Sequence, residues 1–364
     1  MKYLWLLFVW GWMPSIVMAE DSAYFNYSTT VHERFDLNTP PQIVIWDHTY
    51  ISGVTTPNGR SVGTEVVLYC MSDTNTTAGK CPVTSRWTSL GKAVLLQFTE
   101  QRSHLTRDLW VTGEQRTSCG TNSPFAAVWG ACDGGDIGYH VYLQPNELKK
   151  LPIGGIWKAH LKMHVNEWHG GAGAHGPYDY LDAYWESDIT LNVTDAHNIR
   201  IWLPQYHGST ANVVMPISPS YWALNKPGMV SSEKVVETCL YDGYNSNSSH
   251  FDVMLNSEHV DSESGDFLLQ NTSNPESKPL HYQVIASVPG SSGDSQVLKA
   301  GATQTYSGMN NVGIHQVMMP GLQAPVACVP WPIKLKLKPF DLSRQPAGHY
   351  TGVLNLTFTP SLDG

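Results

Sequence analysis

Apolar and polar residues alternate with a period of two along most of this chain. Ile189, Leu191 and Val193 alternate with polar neighbours, and so do Ile199, Ile201 and Leu203. The rhythm recurs through Phe251, Val253 and Leu255, through Leu280, Tyr282, Val284 and Ala286, and through Ile333, Leu335 and Leu337. In the last run the opposite face is Lys334, Lys336 and Lys338. Successive side chains of a strand point to opposite faces, so these runs predict half-buried strands with one face on a core. Turn clusters separate them at Pro57-Asn58-Gly59, at Asp133-Gly134-Gly135 and at 289–293. Long helical spacing is absent; one helical turn is expected at 146–151, with Asn146 as its cap. Regularly spaced strands and turns predict an all-β chain of immunoglobulin-like sandwiches.

One stretch occurs twice. Residues 155–165 read Gly-Ile-Trp-Lys-Ala-His-Leu-Lys-Met-His-Val, and residues 348–358 read Gly-His-Tyr-Thr-Gly-Val-Leu-Asn-Leu-Thr-Phe. Both copies carry a glycine, then an aromatic, then an alternating strand, and Pro152 or Pro346 precedes each. A glycine turn leading through an aromatic into a long strand is the pattern of a penultimate sandwich strand. The repeat therefore predicts two sandwiches in tandem. After the first copy, residues 186–194 supply a closing strand. After Phe358 only six residues remain, one of them Pro360, too few to turn and return as a strand. The second sandwich is expected to lack its last strand. Its groove would lie between Ile199, Ile201 and Leu203 on one side and Leu354, Leu356 and Phe358 on the other. An unpaired edge of that kind invites a strand from another chain.

Composition narrows the class. Lys2 followed by an apolar run that stops before Pro14, with Ala19 at a cleavage site, predicts a secretory signal peptide over 1–19. The run is too short to span a bilayer, which needs about 20 residues. The net charge of -9 and the lack of a basic run argue against nucleic acid as a partner. Six cysteines in an exported chain predict three disulfides. Proximity in sequence ranks Cys70–Cys81 and Cys119–Cys132 first, leaving Cys239–Cys328, among the several pairings possible.

Several stretches together resemble a known family. They are 96–103 (Leu-Gln-Phe-Thr-Glu-Gln-Arg-Ser), 147–157, 191–205 (Leu-Asn-Val-Thr-Asp-Ala-His-Asn-Ile-Arg-Ile-Trp-Leu-Pro-Gln), 239–249 (Cys-Leu-Tyr-Asp-Gly-Tyr-Asn-Ser-Asn-Ser-Ser), 325–328 and 348–361. The chain resembles the class 5 fimbrial tip adhesins of the colonisation-factor type, also described as CblD-like pilus biogenesis initiators. The resemblance implies an adhesin domain over 20–194, a short linker at 195–197 and a pilin domain over 198–364 completed by a donor strand. It implies a periplasmic chaperone, an outer-membrane usher and the N-terminal donor strand of a major pilin as partners. A host glycoconjugate is the implied receptor, and the tip of a cell-surface fimbrium the implied location. Family members bind through an arginine patch, but the matching positions here are Glu65 and Asn166-Glu167, none of them basic. Arg102 and Arg107 fall in or beside a matching segment and stay candidates.

Residues 166–188 are expected to form a long loop rich in glycine, aromatics and carboxylates. Aromatic rings stack on sugar faces, and carboxylates accept from hydroxyls. Trp168, His169, Tyr178, Asp179, Tyr180, Asp182, Tyr184 and Trp185 are therefore the receptor-binding candidates, pointing to a neutral glycan. His160 and His164 stand four apart on a strand, about 13 Å between Cα atoms, too far to share an ion. No cofactor and no metal site is expected. The motifs of common hydrolases and phosphate-binding enzymes are absent, so no catalytic residue is assigned. The alternatives are an assembly initiator without its own receptor and, further off, a secreted glycan-active enzyme.

Overall fold

The structure, a computed structural model, describes residues 26–50, 65–83, 93–117, 122–124, 137–168, 177–219, 228–287 and 295–362. The expected signal peptide and the Cys119–Cys132 pair lie outside the described residues. The first group of strands is β1 (Tyr27–Asp36), β2 (Ile43–Tyr50), β3 (Glu65–Cys70), β4 (Ala93–Glu100), β5 (Thr106–Thr117), β6 (Asn122–Pro124), β7 (Ile137–Leu143), β8 (Gly155–Trp168) and β9 (Pro177–Thr194). They form one sheet in the order β1-β9-β8-β4-β5-β7-β2, with β3 added to β8 and β6 to β5. The two ends of this path meet, because Trp46 Nε1 of β2 donates to Thr29 Oγ1 of β1 at 3.0 Å. The sheet thus folds over one core.

Alternation decides which side chains fill that core. Along β8, Trp157, Leu161, Met163 and Val165 are buried, whereas Lys158, His160, Lys162 and His164 face outward. Along β9, Trp185, Ile189, Leu191 and Val193 point inward. Trp185 sits edge-on to Tyr27, Trp46 and Tyr139, with centroids 5.2 to 5.6 Å apart. The short helix α1 (Pro145–Leu148) starts earlier than the sequence suggested. Gln144, not Asn146, stands at its N-cap, because the fixed φ of Pro145 suits the first helical position.

The second group begins with β10 (Arg200–Trp202), β11 (Ser218–Pro219), β12 (Met229–Val236), β13 (Cys239–Tyr241), β14 (His250–Asn256), β15 (Phe267–Asn271) and β16 (Leu280–Ser287). It continues with β17 (Ser295–Leu298), β18 (Thr303–Ser307), β19 (His315–Val317), β20 (Val326–Pro330), β21 (Ile333–Asp341), β22 (Tyr350–Thr351) and β23 (Asn355–Pro360). One sheet runs β11-β12-β21-β16-β15-β22, and two partial sheets run β10-β13-β20-β19 and β18-β14-β23. Their core centres on Phe251, Phe267, Tyr282, Val329 and Trp331. Cys70–Cys81 is bonded, as proximity in sequence suggested, and so is Cys239–Cys328, the pair left over.

The two groups pack on each other. Cys239, Tyr241, Met319, Val326 and Cys328 of the second belong to the same buried cluster as the core of the first. The loop 242–248 fits between them, and Asp242, Asn245, Ser246 and Ser248 are fully buried. Asp242 accepts from the backbone amides of Tyr244, Ser246 and Ser248. Asn245 donates to Glu100 Oε2 at 2.7 Å and accepts from Ala327 N. A buried polar loop needs such partners, since each unmet group costs about 1–3 kcal/mol.

Candidate functional site

Strand β10 pairs only with β13, and β23 pairs only with β14, among the described residues. Each is the outer strand of a partial sheet, and both border one groove of about 630 Å³. Ile199, Ile201, Leu356 and Phe358 line it, together with Met319, Pro320 and the backbone turn at Gly208. These are four of the six residues expected there. Of the other two, Leu203 is buried in the core, and Leu354 packs against that core just ahead of β23. Phe358 lies 5.1 Å from the ring of Phe251 and stays half-buried, as do Leu354 and Leu356. Sequence pattern missed Met319 and Pro320, because they lie in an irregular segment with no period to read.

The groove lies between the outer strands of the two partial sheets. Strands in one sheet stand about 4.8 Å apart, so a strand between two edges pairs with both. One inserted strand would join the three-stranded and four-stranded sheets into a continuous one. Its inward side chains would meet Ile201, Leu356 and Phe358, and its backbone would meet two rows of unpaired amides and carbonyls.

The receptor-binding candidates separate. The expected loop at 166–188 is mostly a hairpin: β8 extends to Trp168, and β9 begins at Pro177. Glycines at 170–173 masked the alternation of Ala183, Trp185, Ser187 and Ile189, all of which point inward. Trp185, at 2% exposure, is a core residue and cannot reach a receptor. Tyr184 faces outward against the ring of His164 at 5.2 Å, with Lys162 Nζ 4.3 Å above it. Lys162 also pairs with Glu186 at 2.6 Å, and His160 with Asp188 at 2.8 Å. Trp168, Tyr178, Asp179, Tyr180 and Asp182 occupy hairpin positions by their backbone, with Trp168 opposite Pro177. His169 lies outside the described residues. The non-basic positions also converge, since Glu65 pairs with Trp168, and Val66 with Glu167.

Arg107 is exposed on β5, opposite Phe98. Arg102 serves elsewhere. Its guanidinium donates to Asn310 O at 3.0 Å and to Asn247 Oδ1 at 3.4 Å, which puts it in the junction between the two groups. The matched segment 96–103 thus contributes a packing contact at the junction. His160 and His164 point to different partners, Asp188 and Tyr69.

Two β-sandwich units in tandem, the second split along one edge, define the architectural class. Comparison with known proteins agrees. The family model for the first domain of CfaE, the CFA/I fimbrial E subunit, matches residues 17–196, and that for its second domain matches 199–362. The CFA/I fimbrial E subunit of Escherichia coli is 31% identical over 310 residues, covering 80% of this chain and 79% of that one. The crystal structure of CfaE, the adhesive subunit of CFA/I fimbria of enterotoxigenic Escherichia coli, superposes with a TM-score of 0.72 at 24% identity. That match covers 92% of this chain and 93% of the other. A chain in a chaperone–tip adhesin complex of CFA/I fimbriae biogenesis matches with a TM-score of 0.65 at 25% identity, over 92% and 96% of the two chains. This chain belongs to the CfaE family.

Proposed function

We propose that this chain is the minor tip adhesin of a chaperone–usher fimbrium, exported through the periplasm to the cell surface. Residues 20–194 form its receptor-binding domain and 198–364 its pilin domain, with 195–197 as the linker. The pilin domain joins the shaft by accepting a strand into the groove between β10 and β23. A periplasmic chaperone fills that groove first, and the N-terminal strand of the major pilin replaces it at the outer-membrane usher.

One observation carries the reading: two partial sheets end on β10 and β23, and both edges border the same groove, into which Ile201, Leu356 and Phe358 face. The names of the relatives, an adhesive subunit and a chaperone–tip adhesin complex, support the partners. The chemistry is non-covalent, and no catalytic step is assigned. The decisive experiment adds a synthetic peptide copying the N-terminal segment of the major pilin of the same fimbrium. The peptide should raise the melting temperature of the pilin domain, because a ligand of the native state stabilises it by mass action. An unstrained, fully stable chain with no response to the peptide would sink the reading.

Receptor binding is proposed for the far end of the β8–β9 hairpin. Strand β8 starts at the junction, where Gly155 abuts Glu100, and runs 14 residues to Trp168. At about 3.3 Å per residue its end lies about 40 Å from the junction. A surface held that far from the shaft is free to meet a host cell. Its residues, Trp168, Tyr178, Asp179, Tyr180, Asp182 and Tyr184, suit stacking and hydroxyl contacts with a neutral glycan. A glycan array comparing the chain with Tyr178→Ala and Tyr180→Ala tests this, with loss of signal expected.

A further inference from the structure

The groove and the junction between the domains share their walls. Residues 199–202 and Met319 with Pro320 line the groove. A smaller polar cleft of about 330 Å³ is lined by Asp195, Asn198 and 321–323 on one side. Leu37, Asn38, Lys149, Leu151 and Pro152 of the adhesin domain line the other. Two short segments, 195–202 and 319–323, therefore face the groove at one end and the adhesin domain at the other. Met319 makes this concrete. It lines the groove, yet it belongs to the buried cluster that contains the adhesin core.

One side chain ties the segments together. Arg200 donates through Nη1 to the carbonyl of Pro320 and through Nη2 to Oδ1 of Asn198. Asn198 donates to Asp195 Oδ2 at 2.7 Å. The amide of Asp195 donates to Gly243 O at 2.7 Å, and the amide of Ala196 donates to Asp36 Oδ2 of the adhesin domain at 3.0 Å. Little slack exists along this route. Gly243 has φ +69, and a Cβ there would stand 2.3 Å from Asp195 O. A Cβ at Gly154 would stand 2.1 Å from Gly243 O. A guanidinium suits the clasp because its planar fork reaches two acceptors at once, which an ammonium on a flexible stem does not.

We propose that strand insertion into the groove is coupled to the order of the domain junction, and that Arg200 is the positioning residue that couples them. This rests on the strand-accepting reading. An inserted strand fixes β10 and the wall at Met319 and Pro320. The Arg200 clasp then holds Asn198 and Asp195, which hold the adhesin domain at one angle. Coupling of this kind needs no change of shape: ordering one site lowers the entropic cost of ordering the other. The tip adhesin is then stiffest at its joint only once it is mounted on the shaft.

The test is hydrogen exchange on the full chain, with and without the major-pilin N-terminal peptide. In the unsubstituted chain the peptide should slow exchange at the amides of 195–198, outside the groove, by roughly tenfold, a typical coupling factor. In Asn198→Ala, which lies outside the groove, the peptide should still raise the melting temperature, but the protection at 195–198 should vanish, and Arg200→Ala should lose that protection too. Arg200→Lys should restore little of it, since one ammonium does not bridge both acceptors. Asn198→Ala breaks the same clasp from its other side and serves if Arg200→Ala folds poorly. A peptide that stabilises the pilin domain without protecting 195–198 overturns the coupling and leaves strand acceptance standing. Full protection at 195–198 in Arg200→Ala and Asn198→Ala overturns the role of Arg200. No stabilisation at all overturns the strand reading itself.

Discussion

The same corner is built twice in this chain, once in each domain, but the strand leading away from it has a different fate in each. Gly155 and Gly348 open the two copies with φ of +147 and +157, a conformation that side chains rarely adopt. Each glycine abuts a polar side chain: a Cβ would stand 2.6 Å from Glu100 Oε1 in the first and 2.4 Å from Asn271 Oδ1 in the second. Those partners match in role. Glu100 accepts from the amides of Arg102 and Ser103, and Asn271 from those of Ser273 and Asn274. They match in register too, since Glu100 lies opposite Trp157 and Asn271 opposite Tyr350. Even the aromatics act alike. Trp157 Nε1 donates to Ile153 O at 3.2 Å and Tyr350 OH to Pro346 O at 3.0 Å, four residues upstream in each case.

Beyond the corner the copies part. In the first, Leu161, Met163 and Val165 are completely buried, because β9 lies along β8 over its length. In the second, the strand breaks between β22 and β23, and the matching Leu354, Leu356 and Phe358 remain half-buried at an edge. The corner is thus a local product of its own residues, and the burial after it is a property of the neighbouring strand. Supplying that neighbour should make the second copy behave like the first.

The largest effect expected from this comparison is on core truncation. Met163→Ala should cost about 2–5 kcal/mol in urea unfolding, the usual range for a buried Met. Leu356→Ala should cost less than half of that in the chain alone and approach it once the major-pilin peptide is bound. Equal costs without peptide would break the comparison. Next come the pins. Glu100→Ala leaves Ile156 N, Asn245 Nδ2 and two turn amides without an acceptor, so about 3 kcal/mol is expected. Asn271→Ala leaves only the turn, and about 1 kcal/mol is expected. Thermal unfolding followed separately for each domain should show Glu100→Ala loosening both domains and Asn271→Ala only the second. Smaller still, Trp157→Phe and Tyr350→Phe each remove one hydrogen bond at the corner. Each should cost about 1 kcal/mol, with Trp157→Phe the worse because its site is buried and loses ring volume as well.

The smallest effects concern pH at the junction, where Asp36 and Asp195 behave oppositely. Burial works to raise Asp36, but hydrogen bonds from Ala196, Asn38 and Thr194 outweigh it and hold the carboxyl below its ordinary 3.8. A depressed carboxyl stabilises the fold above its unfolded value and loses that contribution as pH falls through its folded one. Asp195 is raised, chiefly by burial. Its charge therefore opposes folding at neutral pH, and acid relieves that cost as it protonates. Asp195→Asn should raise the melting temperature at pH 7 slightly, and Asp36→Asn should lower it there and flatten the loss as pH falls below the ordinary carboxyl value of 3.8. Scans of melting temperature against pH check both signs.

Much of the fold was legible because strand alternation is a local signal. The runs at Ile189, Phe251 and Ile333 all became strands with the expected faces inward. The repeat was legible for the same reason, as glycine and aromatic act within a few residues of themselves. The hairpin at 177–188 was misread because glycines and tyrosines nearby imitate a loop, and the inward Trp185 shows its purpose only against Trp46 and Tyr139. The place of Arg102 in the junction was not legible, because a match to a segment does not say which surface the segment faces. Ile201, Leu356 and Phe358 could be named in advance because they alternate along strands, and Ile199 because it continues that alternation just ahead of β10.

The sequence by itself determined the all-β class, the doubled corner and the strands that border the groove. These depend on period-two burial and on backbone conformations open only to glycine, and both can be read one residue at a time. Only the tertiary structure decided that Met319 and Pro320 wall the groove, that the buried loop 242–248 locks onto Glu100, and that Arg200 joins groove to junction. Those contacts link residues more than a hundred positions apart in several cases, Arg200 with Pro320 and Glu100 with Asn245 among them. No local pattern encodes such a pairing, because it depends on how two finished sandwiches pack.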